Sequence, residues 1–262
     1  MPKPVKIEAI VPAAGLGVRL KTAVAKPFVR IDDCAIIIRA LRVLSRNAAI
    51  SKIIVLAHNK NLAKVRRLIE ADGLSKVKCV RRGGKTRRDS VAAGLKLLDK
   101  DTDFVLIHDA ARPFVTGEII SRVVSGAQDC GACIAGVPLK PTIKSIKYPR
   151  MLRGRQVSPD ASGQASIEKK NIFVDKTLDR RNIWEIQTPQ VFRRDLIIKA
   201  HNKFKNLDAT DDAYLVEKLG YKVRVCEGSY FNIKITTPED LVFAEVIAKR
   251  VKPACRQAGI KR

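Results

Sequence analysis

Apolar residues recur along this chain in two alternating rhythms: short unbroken runs, and stretches in which they return every three or four positions. Residues 6–12 form the first run and Lys-Ile-Ile-Val-Leu-Ala at 52–57 the second, each read as a buried strand. Between them Ile37, Leu41, Leu44 and Ala48 mark one face of a helix. A charged helix through Leu68, a short strand at 77–81, and a helix faced by Val91, Leu95 and Leu98 follow. Phe-Val-Leu-Ile-His at 104–108 reads as a fourth strand, a helix opens near Gly117, and 133–139 makes a fifth strand. Strand and helix alternating in this way predict an α/β fold of Rossmann-like type, a mostly parallel sheet with helices on both faces and right-handed crossovers.

The rhythm breaks over about 141–184, where polar, basic, Pro- and Gly-containing sequence predominates. It resumes with helices near 194–204 and 211–219, a strand near 221–226 and a last helix over 238–250, whose Thr-Pro-Glu-Asp opening suits a helix start. Residues 1–250 therefore read as a single domain, and the basic tail 251–262 is expected to fray.

Length and composition narrow the class. The 262 residues, 46% of them hydrophobic, suffice for one large domain with a sizeable core. No apolar stretch approaches the roughly 18 residues of a membrane span, and the first residues lack a signal-peptide core, so a cytoplasmic protein is expected. Lys and Arg number 51 against 26 Asp and Glu, a formal charge of +25 that attracts anions of any kind. The six cysteines are scattered, as for reduced thiols. Cys130 and Cys133 have CxxC spacing, but neither a second pair nor a nearby histidine completes a zinc site, and both read as buried small residues.

Candidate chemistry gathers where strands end. After the first strand come Pro12, Ala13, Ala14, Gly15, Leu16, Gly17, Val18 and Arg19. Glycines there let backbone N–H groups approach a phosphate. The third glycine of a dinucleotide fingerprint is missing, as is the Gly-Lys-Ser/Thr ending of a P-loop. Arg19 and Lys26 are instead two cations placed to reach a triphosphate. A second loop, from Gly83 to Ser90, opens a helix and suits an anion or a closely held base and ribose, with Asp89 or Ser90 as the helix cap. The fourth strand delivers His108, Asp109, Ala110, Ala111, Arg112 and Pro113, where the acid can help hold Mg²⁺ or a hydroxyl and His108, with no activating partner, reads as structural.

These strings occur in a specific order with Thr142-Ile143-Lys144, the stretch 177–180, Thr188-Pro189-Gln190 and Asn232-Ile233-Lys234. Together, over roughly 6–250, they resemble the 2-C-methyl-D-erythritol 4-phosphate cytidylyltransferase family of the non-mevalonate isoprenoid pathway. The resemblance implies a nucleotidyltransferase fold with a protruding dimerisation arm, a homodimer, and CTP and a polyol phosphate as substrates. It implies Mg²⁺ carried mainly by the CTP phosphates, with no metal ligand from the chain. Arg19, Lys26, Arg180 and Lys234 would be catalytic, Arg180 reaching into the partner subunit. Ala13, Ala14, Gly15, Gly84, Ser90, Asp109 and Ala110 would hold the nucleotide. Arg112, Thr142, Thr188 and Thr210 would bind the acceptor.

Three departures accompany the likeness. Pro141 and Lys85 stand where the family commonly carries acids, and Thr142 lies 38 positions before Arg180, about twice the usual arm. The excess reads as an insertion over 148–169, with few apolar side chains to offset an ordering cost of about 1–2 kcal/mol per residue. Lengthening a surface loop costs only about 0.6 kcal/mol per doubling. Joining Lys147 directly to Lys170 is therefore expected to leave kcat within about threefold and the oligomer intact, checked by steady-state kinetics and sedimentation. A sister cytidylyltransferase for ribitol 5-phosphate or another pentitol phosphate would share the CTP loops. A basic nucleic-acid-binding protein fits the charge, but no aromatic RNA-binding string or zinc finger accompanies it, and aromatics are only 5%.

Overall fold

The computed structural model describes residues 5–15, 17–22, 24–147 and 172–250. The expected insertion over 148–169 and the basic tail 251–262 lie outside them. The described chain forms two units, Val137–Glu185 being one and the flanking sequence the other.

The larger unit is built on β1 (Ile7–Ala13), β4 (Ile50–Ala57), β5 (Val77–Arg82), β6 (Phe104–Ile107), β7 (Ala132–Pro138), β10 (Trp184–Arg193) and β11 (Arg224–Glu227). Two short strands, β2 (Arg30–Ile31) and β3 (Cys34–Ala35), pair separately. The main sheet runs in the order β11-β7-β10-β6-β1-β4-β5. The pairs β1–β4, β1–β6, β4–β5 and β7–β11 are parallel, while β10 runs antiparallel to β6. The helices are α1 (Ile36–Arg46), α2 (Leu62–Ala71), α3 (Arg87–Leu95), α4 (Gly117–Cys130), α5 (Arg194–Lys203), α6 (Asp212–Lys218) and α7 (Pro238–Arg250). None is long and apolar enough to cross a membrane.

The unbroken apolar runs are explained by burial on both faces. Along β4, Ile53, Val55 and Ala57 enter one core with residues of α1, α2 and α4, while Ile54 and Leu56 enter another with residues of α3, α5 and α6. Each fully buried Ile, Leu or Val contributes about 1.5–3 kcal/mol relative to exposure. A third cluster seats α7 through Ala244, Ile247 and Ala248 on Leu20, Ile36 and Phe114.

β10 is the element the apolar pattern does not announce. Pro189 sits inside it, and proline in a central strand is a contrary signal because it donates nothing to the ladder. Two smaller readings also change. Cys133 is buried but Cys130 is exposed, so the CxxC pair is not a matched buried couple. The cap of α3 is Thr86 rather than Asp89 or Ser90. Thr86 Oγ1 accepts from the Asp89 N–H at 3.0 Å, and the Asp89 carboxylate accepts from the Thr86 N–H at 3.2 Å, a reciprocal capping box.

The smaller unit is an antiparallel hairpin of β8 (Ile143–Lys147) and β9 (Phe173–Leu178), registered from Ile143 opposite Leu178 to Lys147 opposite Phe173. Lys144 Nζ donates to Thr177 Oγ1 at 2.6 Å, and Lys147 pairs with Asp175. Arg180 donates to the Lys140 carbonyl. Ile146, Phe173 and Val174 of this two-stranded ribbon are exposed, as are Ile172 just before β9 and Trp184 at the start of β10.

Candidate active site

The sheet changes direction at β1: the chain runs outward to β4 and β5, then crosses back to β6 on the other side. Ligands in open α/β sheets bind outside the strand carboxyl ends at such a switch point. A cleft of about 240 Å³ lies there, lined by Ala13, Ala14, Gly15, Arg19 and Lys26 from the first loop, Gly84, Lys85 and Ser90 from the second, and Asp109, Ala110 and Lys234.

Two glycines let the loops close on one another. Gly17 has φ of +69°, and an added Cβ would sit 2.6 Å from Lys26 Cβ, so the turn both needs glycine and packs against the lysine. A Cβ on Gly83 would meet Ala14 Cβ at 2.6 Å and Ser90 Oγ at 2.8 Å, so this glycine brings the second loop against the first. Ser90 Oγ donates to the Thr86 carbonyl at 2.9 Å and accepts from the Gly84 N–H at 3.1 Å, which fixes the rim of the cleft.

The cleft is cationic with one embedded acid. Burial, together with the nearby charges of Lys234 and Arg19, pushes the Lys26 ammonium down to about 8, although Asp109 works in the other direction. Asp109 is itself 6% exposed. Burial disfavours its charge, yet the Arg87 guanidinium and Lys234 outweigh that and hold the carboxyl well below its usual range. Arg87 Nε lies 2.7 Å from Oδ1 and Lys234 Nζ 2.7 Å from Oδ2.

A second cleft adjoins the first, sharing Arg87, Asp109 and Lys234 and adding Arg112, Thr188, Gln190, Thr210 and Tyr214. Its floor is a closed hydrogen-bond net. Thr188 Oγ1 accepts from the Asp109 N–H at 3.0 Å and contacts His108 Nδ1 at 3.1 Å, while His108 Nε2 lies 3.1 Å from the Arg112 carbonyl. Burial lowers the His108 pKa to about 4, so the ring is neutral and both nitrogens are engaged, as a structural histidine requires. Arg112 donates to the Asn232 carbonyl at 2.7 Å and the Ile186 carbonyl at 3.3 Å. Fully buried Asn232 donates to Gln187 Oε1 and the Thr188 carbonyl, which anchors the segment that ends in Lys234.

Thus Arg19, Lys26, Lys234, Ala13, Ala14, Gly15, Gly84, Ser90, Asp109 and Ala110 line the first cleft, and Arg112, Thr188 and Thr210 the second. Thr142 and Arg180 belong to the hairpin unit. Sequence reasoning gave no role to Arg87 or Asp212. Arg87 is one of 51 cations, and its only distinguishing mark was its place at the first turn of a helix behind a glycine loop.

No cluster of three or more His, Cys, Asp or Glu side chains suited to a metal occurs among the described residues. Among the described residues Asp109 is the one carboxylate lining the first cleft, and both its oxygens face cations.

Two known proteins similar to this chain carry one name over nearly its whole length. The 2-C-methyl-D-erythritol 4-phosphate cytidylyltransferase of Alkaliphilus oremlandii is 39% identical over 247 residues, covering 93% of this chain and 95% of its own length. That of Bacillus velezensis is 39% identical over 243 residues, with 92% and 94% covered. The crystal structure of 4-diphosphocytidyl-2C-methyl-D-erythritol synthase from Anaerococcus prevotii aligns with a TM-score of 0.76 at 30% identity, over 94% of this chain and 97% of that one. The Thermus thermophilus cytidylyltransferase aligns at 0.67 and 28% identity, over 94% and 100%. The family model for 2-C-methyl-D-erythritol 4-phosphate cytidylyltransferase matches residues 7–156 and 164–250, and the chain belongs to that family.

Proposed function

We propose that this chain transfers the cytidylyl group of CTP to 2-C-methyl-D-erythritol 4-phosphate, giving 4-diphosphocytidyl-2-C-methyl-D-erythritol and pyrophosphate. The observation that carries the reading is the convergence of Arg19, Lys26 and Lys234 on one cleft between the two glycine loops, in a chain of this family. An acceptor phosphate oxygen forms a bond to the α-phosphorus of CTP while the bond to the pyrophosphate oxygen breaks. The attacking oxygen is already anionic, so no general base is needed, which agrees with a His108 that is buried, neutral and fully engaged. Catalysis is positioning plus charge neutralisation.

Ala13, Ala14, Gly15, Gly84 and Ser90 hold base and ribose, with Asp109 and Ala110 beside the sugar. Arg19 and Lys26 neutralise charge growing at the α-phosphate. Lys234, with Arg112, Thr188 and Thr210, orients the acceptor, joined by Thr142 and Arg180 from the hairpin of a second copy. The exposed Ile146, Phe173, Val174 and Trp184 support a homodimer, because an apolar surface of this kind needs a cover. Mg²⁺, if held mainly by the CTP phosphates, would supply charge neutralisation there beside Arg19 and Lys26.

The direct test is pyrophosphate release from CTP with methylerythritol phosphate, beside ribitol 5-phosphate and the other nucleoside triphosphates. No release with methylerythritol phosphate, or preference for ribitol phosphate, would overturn the reading. The same assay carries a pH prediction. Only protonated Lys26 neutralises phosphate, and its protonated fraction falls as pH rises through about 8. Bound CTP stabilises the ammonium and raises that pKa. The value of kcat/KM for CTP is therefore expected to fall above pH 8 while kcat stays level to higher pH. Lys26→Arg should remove that alkaline limb.

A further inference from the structure

Arg87 occupies the border between the two clefts and lines both. It is the first residue of α3, with its backbone fixed by the Thr86–Asp89 capping box. One nitrogen of its guanidinium, Nε, lies 2.7 Å from Asp109 Oδ1, and another, Nη1, 2.6 Å from Asp212 Oδ2. Asp212, 1% exposed at the start of α6, is held in turn by His201 Nε2 at 3.0 Å from its other oxygen. The third nitrogen, Nη2, is buried with no hydrogen-bond partner among the described residues. The two carboxylates thus set the orientation of the fork.

Asp109 stands between the sites assigned to two polyanionic substrates, and Lys234, assigned to the acceptor, is paired to it at 2.7 Å. We infer that Arg87 is a positioning residue for the transfer: anchored by Asp212, it neutralises and fixes the Asp109 carboxylate, so that Lys234 can leave Asp109 for the acceptor's phosphate. This rests on the function proposed above. With Arg87 in place, Asp109 keeps one counter-ion after Lys234 swings away, and its own geometry does not change. Without Arg87, the pair with Lys234 is the one ion pair that Asp109 retains among the described residues, and the lysine is held there, because a buried unpaired charge is strongly disfavoured. The acceptor then has to compete with Asp109 for the lysine, and the nearby acid repels its phosphate. CTP depends less on Lys234, since Arg19 and Lys26 serve its phosphates.

Arg87→Met, Arg87→Lys, Asp109→Asn and the Arg87→Met/Asp109→Asn double variant test this in the full-length enzyme, with melting temperatures recorded beside kinetics. Arg87→Met is expected to lower kcat/KM for methylerythritol phosphate about 30-fold while KM for CTP moves less than about threefold. In the Asp109→Asn background the same change should cost less than about threefold, because no carboxylate remains to trap Lys234. Arg87→Lys guards against a misfolded Met variant. A single ammonium cannot serve two carboxylates as a fork does, so the acceptor KM should rise about tenfold with the fold retained. Losses that multiply in the double variant, or an unchanged acceptor KM in Arg87→Lys, would overturn the inference while leaving the reaction in place. A wild-type enzyme that releases no pyrophosphate with this acceptor would overturn the proposed function and this inference with it.

Discussion

Lys26→Ala is expected to lower kcat by two or more orders of magnitude, with Arg19→Ala close behind. Lys26 is half-buried beside the positive charges of Lys234 and Arg19, an unfavourable place for an ammonium until phosphate arrives. That arrangement stores little affinity in the empty cleft and puts the charge where it builds up during in-line displacement. Losing one such contact costs about 3 kcal/mol at the transition state, or about two orders of magnitude in rate. KM for CTP should rise far less, since the loop backbone and the remaining cations still bind ground-state triphosphate. Single-turnover measurement of pyrophosphate release separates the two effects. A variant with near wild-type kcat and only a raised KM would restrict that residue to ground-state binding. Gly17→Ala should give a milder version of the same loss, because its Cβ would displace Lys26.

Mixing Arg180→Ala subunits with Lys26→Ala subunits is expected to restore activity that neither variant has alone. The expectation follows from the proposed homodimer, in which the hairpin of one copy completes the cleft of the other. Each mixed dimer would then hold one site with both residues intact and one with neither. Random exchange makes half the dimers mixed, so roughly a quarter of all sites should be intact. A guanidinium fork grips a phosphate bidentately, so Arg180→Lys should substitute poorly in the same assay. Subunits that exchange, as shown by mass spectrometry of the mixture, yet regain no activity would place Arg180 in its own subunit's site or outside any site.

Much of the fold was legible because its elements are buried in a regular way. β4 and β6 are covered on both faces and so appear as unbroken apolar runs, and α1 shows its buried stripe at helical spacing. β10 was not legible, since Pro189 argues against a strand and β6, one of the two strands it pairs with, lies more than eighty residues earlier in the chain. The chemistry divides in the same way. Loops at strand ends announce themselves by glycines beside cations. Residues that act through one another do not, because their partners are distant in sequence: Arg87 with Asp212, Asn232 with Gln187 and Thr188.

The sequence alone determined that this is a mostly parallel α/β protein, that its first strand ends in a phosphate-suited loop followed by Arg19 and Lys26, and that its ordered motifs resemble one cytidylyltransferase family. The first two are local, following from residues within a few positions of one another whose periodicity and backbone freedom can be read directly, and the third needs only the order of such short strings along the chain. Only the tertiary structure decided which of 51 cations face one cleft, that Asp109 is clamped between Arg87 and Lys234, and that His108 has no free nitrogen for proton transfer. Those depend on burial and on contacts across the sheet. Charge and hydrogen bonding act through space, and a linear chain does not state which of its distant residues the fold will bring within 3 Å.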